Sequence, residues 1–163
     1  MLPRGNAPGS GWAALIGFVG LCQLVGLTAA SLMPAALRQW YPSLHAPPFT
    51  PPPWVFAPAW TLLYLLIGIA GWLVWRRHSA AAAAALRRWG WQLGLNALWT
   101  PAFFGLHNPA LGLAVMAALL VAILITIRAF APISRAAAGL MLPYLAWVCF
   151  AAYLNAGLWW LNR

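Results

Sequence analysis

The chain has 163 residues, 64% of them hydrophobic and 6% charged, where a soluble domain of this size has about 45–50% apolar and roughly 25% charged residues. All nine basic residues are arginine, and there is no aspartate or glutamate, so the formal net charge is +9. Too little polar side-chain surface exists to cover a water-exposed fold. Chemistry built on side-chain carboxylates is excluded, which removes a Ser-His-Asp triad, a glycosidase pair and a carboxylate-bridged two-metal site. The arginines gather at the ends of apolar runs, as headgroup anchors do, and are too thinly spread for a nucleic-acid footprint. The expected fold class is all-α, an integral membrane bundle of five transmembrane helices in one domain, with the lipid bilayer as partner and no nucleic acid.

Residues 1–11 carry Arg4 without a small-residue cleavage pattern. The apolar run behind them is long for a signal peptide, so it reads as a retained helix. That first span, 12–33, is long enough at 1.5 Å per residue to cross a hydrocarbon core of about 30 Å. The linker 34–53 is rich in proline. Pro47, Pro48, Pro51, Pro52 and Pro53 forbid a regular helix there, and Trp40, Tyr41 and Phe49 are expected to pack over one end of the bundle. The second span, 54–75, contains Pro58 and ends at Arg76, Arg77 and His78. After the alanine run 80–86 and Arg87–Arg88, the third span is 89–106, with Pro101, Gln92 and Asn96 inside it. A four-span reading would leave this apolar run with nowhere dry to go. His107-Asn108-Pro109 predicts a tight turn before the fourth span, 111–130, and the fifth is 138–161 with Pro143 near its start.

With five spans, one side of the membrane holds Arg4, Arg76, Arg77, Arg87, Arg88, Arg128 and Arg135, and the other Arg38 and Arg163. In a bacterial cell membrane this bias puts the N-terminus in the cytoplasm and the linker outside.

Twelve tryptophans are well above ordinary usage. Trp12, Trp40, Trp75, Trp89, Trp91, Trp159 and Trp160 fall near expected helix ends and read as interfacial anchors. Trp60, Trp99 and Trp147 lie deeper. Helical spacing puts Trp60 with Tyr64 on one face, Asn96 with Trp99 and Phe103 on another, and Tyr144, Trp147, Ala151 and Asn155 on a third. Three aromatic faces with polar handles suit a large, planar, mostly apolar ligand, and small Ala151 leaves it room. Asn96 and Asn155 serve equally well as interhelical hydrogen-bonding groups. Gly90 and Gly94 form a small-xxx-small pair that fits a dimer interface or a contact within the bundle. Cys22 and Cys149 read as small packing residues. His45, His78 and His107 lack metal-site spacing, so no metal is expected. His45 lies nearest the presumed pocket cover, where an axial haem ligand would come from, but ordinary linker polarity suits it better.

The run from Pro52 through Trp54, Pro58 and Trp60 to Tyr64 resembles the second-helix signature of the translocator protein family, also called the tryptophan-rich sensory or peripheral benzodiazepine receptor family. Leu95–Trp99 with Phe103-Phe104-Gly105, and Leu142–Ala151 continuing to Leu154-Asn155 and Leu161-Asn162, are similar to its third and fifth helices. The resemblance implies a five-helix bundle, commonly dimeric, with a ligand cavity beneath the first linker. It implies binding of porphyrin or haem-like tetrapyrroles, with Trp60 and Trp147 flanking the ligand, Asn96, Trp99, Ala151 and Asn155 lining or supporting the pocket, and Trp54 anchoring the lid. Animal members also bind cholesterol and synthetic drugs, and some bacterial members degrade porphyrin in light, an activity that implicates the two pocket tryptophans. The expected function is therefore a membrane receptor for tetrapyrroles in sensing, transport or homeostasis, with no required cofactor. The alternatives are a light- and oxygen-dependent porphyrin-degrading enzyme and a facilitative transporter of porphyrin or sterol. Two departures stand out. Ala46 and Phe49 replace the family's usual Lys and Trp in the linker, and Tyr153 is too far from Arg163 to form the C-terminal sterol-recognition pattern.

Overall fold

The computed structural model describes residues 8–163; Arg4, and with it part of the charge-bias argument, lies outside the described residues. Among these the regular structure is helical: α1 (Pro8–Leu32), α2 (Pro34–Gln39), α3 (Phe56–Trp75), α4 (Ala80–Thr100), α5 (Pro109–Phe130), α6 (Arg135–Leu140) and α7 (Leu142–Leu161), with 3-10 turns at Tyr41–Ser43 and Pro53–Val55 and a π-helical turn at Pro101–Gly105. The long helices form a ring. α1 packs on α3 and α4, α4 on α5, α5 on α7, and α7 returns to α3, where α6 fills part of the join.

Segments Gly11–Leu32, Pro53–Trp75, Pro109–Phe130 and Arg135–Leu161 are long and apolar enough to cross a membrane, which makes four where five spans were expected. α4 is the exception, because Arg87, Arg88, Gln92 and Asn96 interrupt its apolar character. It is nevertheless a full member of the ring. α4 also begins at Ala80 rather than Trp89. The Ser79 side chain accepts the Ala82 N–H at 3.1 Å and caps it. Asn108 caps α5 and Ser134 caps α6 in the same way.

The early start of α4 changes the role of Trp89. It is a buried residue inside the helix rather than an anchor at its end, and its indole Nε1 donates to the Ile67 carbonyl at 3.1 Å. Trp12, Trp91 and Trp160 remain exposed, as anchors are. Cys22 is buried in the core, but Cys149 is exposed on α7 rather than buried as a packing residue would be.

Three further expectations need correction. The linker is not wholly non-helical, because Pro34 opens α2 at a first-turn position where its missing N–H would have had no partner. Phe49 does not pack over the bundle; it is 86% exposed with φ 64°, a left-handed backbone that an ordinary side chain rarely adopts. The last span is two helices broken at Met141. Pro143 has no N–H to offer the Gly139 carbonyl, so the α-helical ladder restarts at Leu142.

Among the described glycines, Gly68 is the one whose added Cβ would meet the backbone of another helix, at the join of α1 and α3. A Cβ on Gly68 would lie 2.7 Å from the Val19 Cα, so the two backbones nearly touch. Gly90 and Gly94, by contrast, are exposed, with no atom within 4 Å of an added Cβ. Gly68→Val is therefore expected to cost about 1–3 kcal/mol through forced backbone separation, and Gly90→Ala close to nothing. Thermal unfolding in detergent followed by circular dichroism checks both.

Candidate ligand site

The site grows from a polar seam on α4. Asn96 is buried, and its amide is used at both ends: Oδ1 accepts from the Tyr64 hydroxyl of α3 at 2.6 Å, and Nδ2 donates to the Tyr144 hydroxyl of α7 at 2.9 Å. One amide thus joins three helices. One helical turn before Tyr64, Trp60 stacks on its ring at 5.4 Å with 29° between planes. Trp60 also meets Trp147 edge-on, centroids 6.5 Å apart at 84°, and Tyr144 at 6.4 Å. Phe56 and Phe150 complete the surroundings of Trp147, each 6.0 Å away.

A second locus lies nearer the linker. The Trp99 Nε1 donates to Asn155 Oδ1 at 3.1 Å, and Asn155 Nδ2 donates to the Pro109 carbonyl at 2.7 Å. Gly112 permits this contact, since a Cβ there would fall 2.9 Å from both Asn155 and Phe103. Pro101 cannot donate a backbone bond, and the turn following it closes by an i+5 bond from the Leu106 N–H to the Pro101 carbonyl at 2.9 Å. That turn carries the buried rings of Phe103 and Phe104. Trp99 stacks on Phe103 at 5.3 Å, and from the linker Trp40 packs on Phe103 at 5.5 Å and Tyr41 on Phe104 at 5.9 Å. Burial pushes the Tyr41 hydroxyl pKa up from its ordinary value.

Tyr64, Asn96, Tyr144, Trp60 and Trp147 are therefore gathered at one locus and Trp99, Phe103 and Asn155 at the other, with half-buried Ala151 packed against the core. Trp54 stands apart, 74% exposed. Both asparagines make interhelical hydrogen bonds. A recess of about 480 Å³ opens between α3 and α7 and is lined by Ala59, Leu62, Leu63, Pro143, Ala146, Trp147 and Phe150. Most of these were not singled out from the sequence, although Phe56 and Phe150 sit one turn from Trp60 and Trp147. Asn162 belongs to the last-helix motif but was given no role in the site. It exchanges hydrogen bonds with the His45 backbone, accepting from its N–H at 2.8 Å and donating to its carbonyl at 3.0 Å, while the Tyr153 hydroxyl donates to the Pro48 carbonyl at 3.0 Å. Asn162 lies two turns beyond Asn155 on the same helix face, which was the available signal.

This arrangement has a recognisable counterpart in known sequences. The TspO/MBR family profile matches residues 18–161. A tryptophan-rich protein TspO from Archaeoglobus fulgidus is 41% identical over 138 residues, covering 85% of this chain and 90% of the relative. The chain belongs to the TspO/MBR family. The translocator protein of Bos taurus is 36% identical over 157 residues, 93% of this chain and 92% of its own, and the tryptophan-rich sensory protein of Cereibacter sphaeroides is 37% identical over 144 residues, 88% of each. The match to the TspO/MBR family spans both aromatic loci and the linker that covers the second.

Among the described residues, two buried side chains have polar groups without a protein partner: the Trp147 indole N–H and both ends of the Gln92 amide. Gln92 lies one turn before Asn96 on the same seam. An unpaired buried polar group costs about 1–3 kcal/mol, so Gln92→Leu is expected to raise the thermal midpoint in detergent. Asn96→Leu is expected to lower it, because it strands the Tyr64 and Tyr144 hydroxyls. The opposite signs of the two shifts, measured side by side, are the check.

Proposed function

We propose that this protein is a membrane receptor for a porphyrin or haem-like tetrapyrrole, serving sensing, transport or homeostasis of that ligand, and that Trp60 and Trp147 flank the bound ring. The observation that carries the reading is the edge-on Trp60–Trp147 pair with an indole N–H buried beside it and unpaired. Aromatic faces favour a flat apolar ring, and a lone donor favours one with an acceptor on its edge. Membership of the TspO/MBR family supports the same reading, as do relatives named for translocation and sensing.

In this proposal α4 crosses the bilayer as a fifth span, with Gln92, Asn96 and Thr100 turned inward, within a single transmembrane domain. The outward-facing Gly90 and Gly94 supply the contact of a homodimer. The arginine-rich ends of α3, α4 and α5 face the cytoplasm of a bacterial cell, with the linker outside. Tyr64, Asn96 and Tyr144 hold the tryptophans in place, Trp99, Phe103, Ala151 and Asn155 form the wall toward the linker, and exposed Trp54 holds the linker at the membrane interface.

The test is titration of the purified protein with protoporphyrin IX, read from the shift of the porphyrin's main absorption band. Replacing both indoles, Trp60→Phe with Trp147→Phe, is expected to raise Kd at least tenfold. An unchanged Kd in a folded double variant would overturn the reading.

A further inference from the structure

We propose that the seam between α3 and α7 is a lateral portal, through which a ligand dissolved in the bilayer reaches the Trp60–Trp147 pair without passing the linker. The proposal rests on the tetrapyrrole reading above and adds the route and the phase from which the ligand comes.

Four observations converge on this seam. First, it is the thinnest join in the ring. α3 spends its packing on α1 and on α6, and touches α7 far less than α7 touches α5. Second, the small or rigid residues Ala59 on α3 and Pro143 and Ala146 on α7 share its lining with Leu62, Leu63, Trp147 and Phe150. They leave the recess of about 480 Å³, which is lined almost wholly by carbon. Leu62, Pro143 and Ala146 on its rim are exposed, midway along segments apolar enough to lie in hydrocarbon. Third, Trp147 forms part of the recess wall on one side and meets Trp60 on the other. Its N–H is buried and has no hydrogen-bond partner, and hydrocarbon offers none, whereas a ring with an acceptor on its edge would. Fourth, the route from water is tied shut. The linker is bonded to α7 at Asn162 and Tyr153, its Pro47 ring lies on Gly157, and Trp40 and Tyr41 rest on the two phenylalanines of the π-helical turn.

The occupant that fits is a flat, bilayer-soluble ring system with an acceptor at its edge. A lipid acyl chain matches the carbon lining but leaves the indole N–H unpaired.

The experiment uses the full chain reconstituted in phosphatidylcholine vesicles and mixed rapidly with donor vesicles carrying protoporphyrin IX. Ala146→Phe and, separately, Ala59→Phe plug the recess from its two walls. Each is expected to slow uptake and release alike by tenfold or more, leaving Kd within about threefold. Asn162→Ala, which unties the linker, is expected to leave the uptake rate within about twofold. Unchanged rates in both plugged variants would overturn the portal, as would faster uptake with Asn162→Ala alone. A weaker Kd at an unchanged uptake rate would also overturn it, since the recess would then be a resting site and no passage. Failure of the wild-type chain to take up porphyrin at all would instead bring down the binding reading, and the portal with it.

Discussion

The arrangement of the aromatic groups depends on the amide of Asn96, which sits where no solvent can replace a lost partner. Hydrocarbon satisfies no hydrogen bond, so a buried polar side chain must be answered by a neighbouring helix or left at a cost. Asn96 is answered twice, by Tyr64 and by Tyr144. Those two bonds fix how α3 and α7 are rotated about their axes. Trp60, one turn before Tyr64, and Trp147, three residues after Tyr144, are thereby carried to the same place. Neither indole needs a partner of its own to be positioned there.

Asn155 does the same work at the other locus, with the Trp99 indole and the Pro109 carbonyl in place of two hydroxyls. Between these fixed points the π-helical turn after Pro101 adds a local twist. It presents two phenyl rings to the linker, which covers them with Trp40 and Tyr41. The end near the linker is thus closed by rings packed on rings, while the side between α3 and α7 keeps a recess where Ala59, Pro143 and Ala146 share the lining with larger apolar side chains.

Much of this was legible in the residues. The spacing of Trp60 with Tyr64, and of Tyr144 with Trp147 and Asn155, placed each set on one helix face, and the structure keeps them there. What periodicity could not show was that the polar handles would face one another across helices, because a stripe records direction without distance. The start of α4 was misjudged for a related reason. The alanine run favours a helix, but Arg87–Arg88 set it apart from the span that begins at Trp89, whereas Ser79 caps one helix that runs straight through both. Trp89 then moved from an end to the interior. The Gly90–Gly94 pair was visible as a pattern, yet among the described glycines it is Gly68 whose added Cβ would meet a neighbouring backbone, while one on Gly90 or Gly94 would touch nothing. The recess was illegible because it follows from what Ala59, Pro143 and Ala146 fail to fill.

With no acidic side chain in the sequence, the arginines have no carboxylate side chain to pair with, and two of them lie over indole rings instead, Arg76 over Trp72 at 4.7 Å and Arg163 over Trp160 at 3.3 Å. The same absence shapes the linker. Its ties to α7 run from amide and phenol groups to backbone atoms, and His45 takes part through its main chain and not its imidazole. Neutral bonds of this kind are neither screened by salt nor broken by titration near neutrality. The ties that hold the cover to α7 are therefore indifferent to ionic strength, and a signal that undid them would have to arrive as matter rather than as charge.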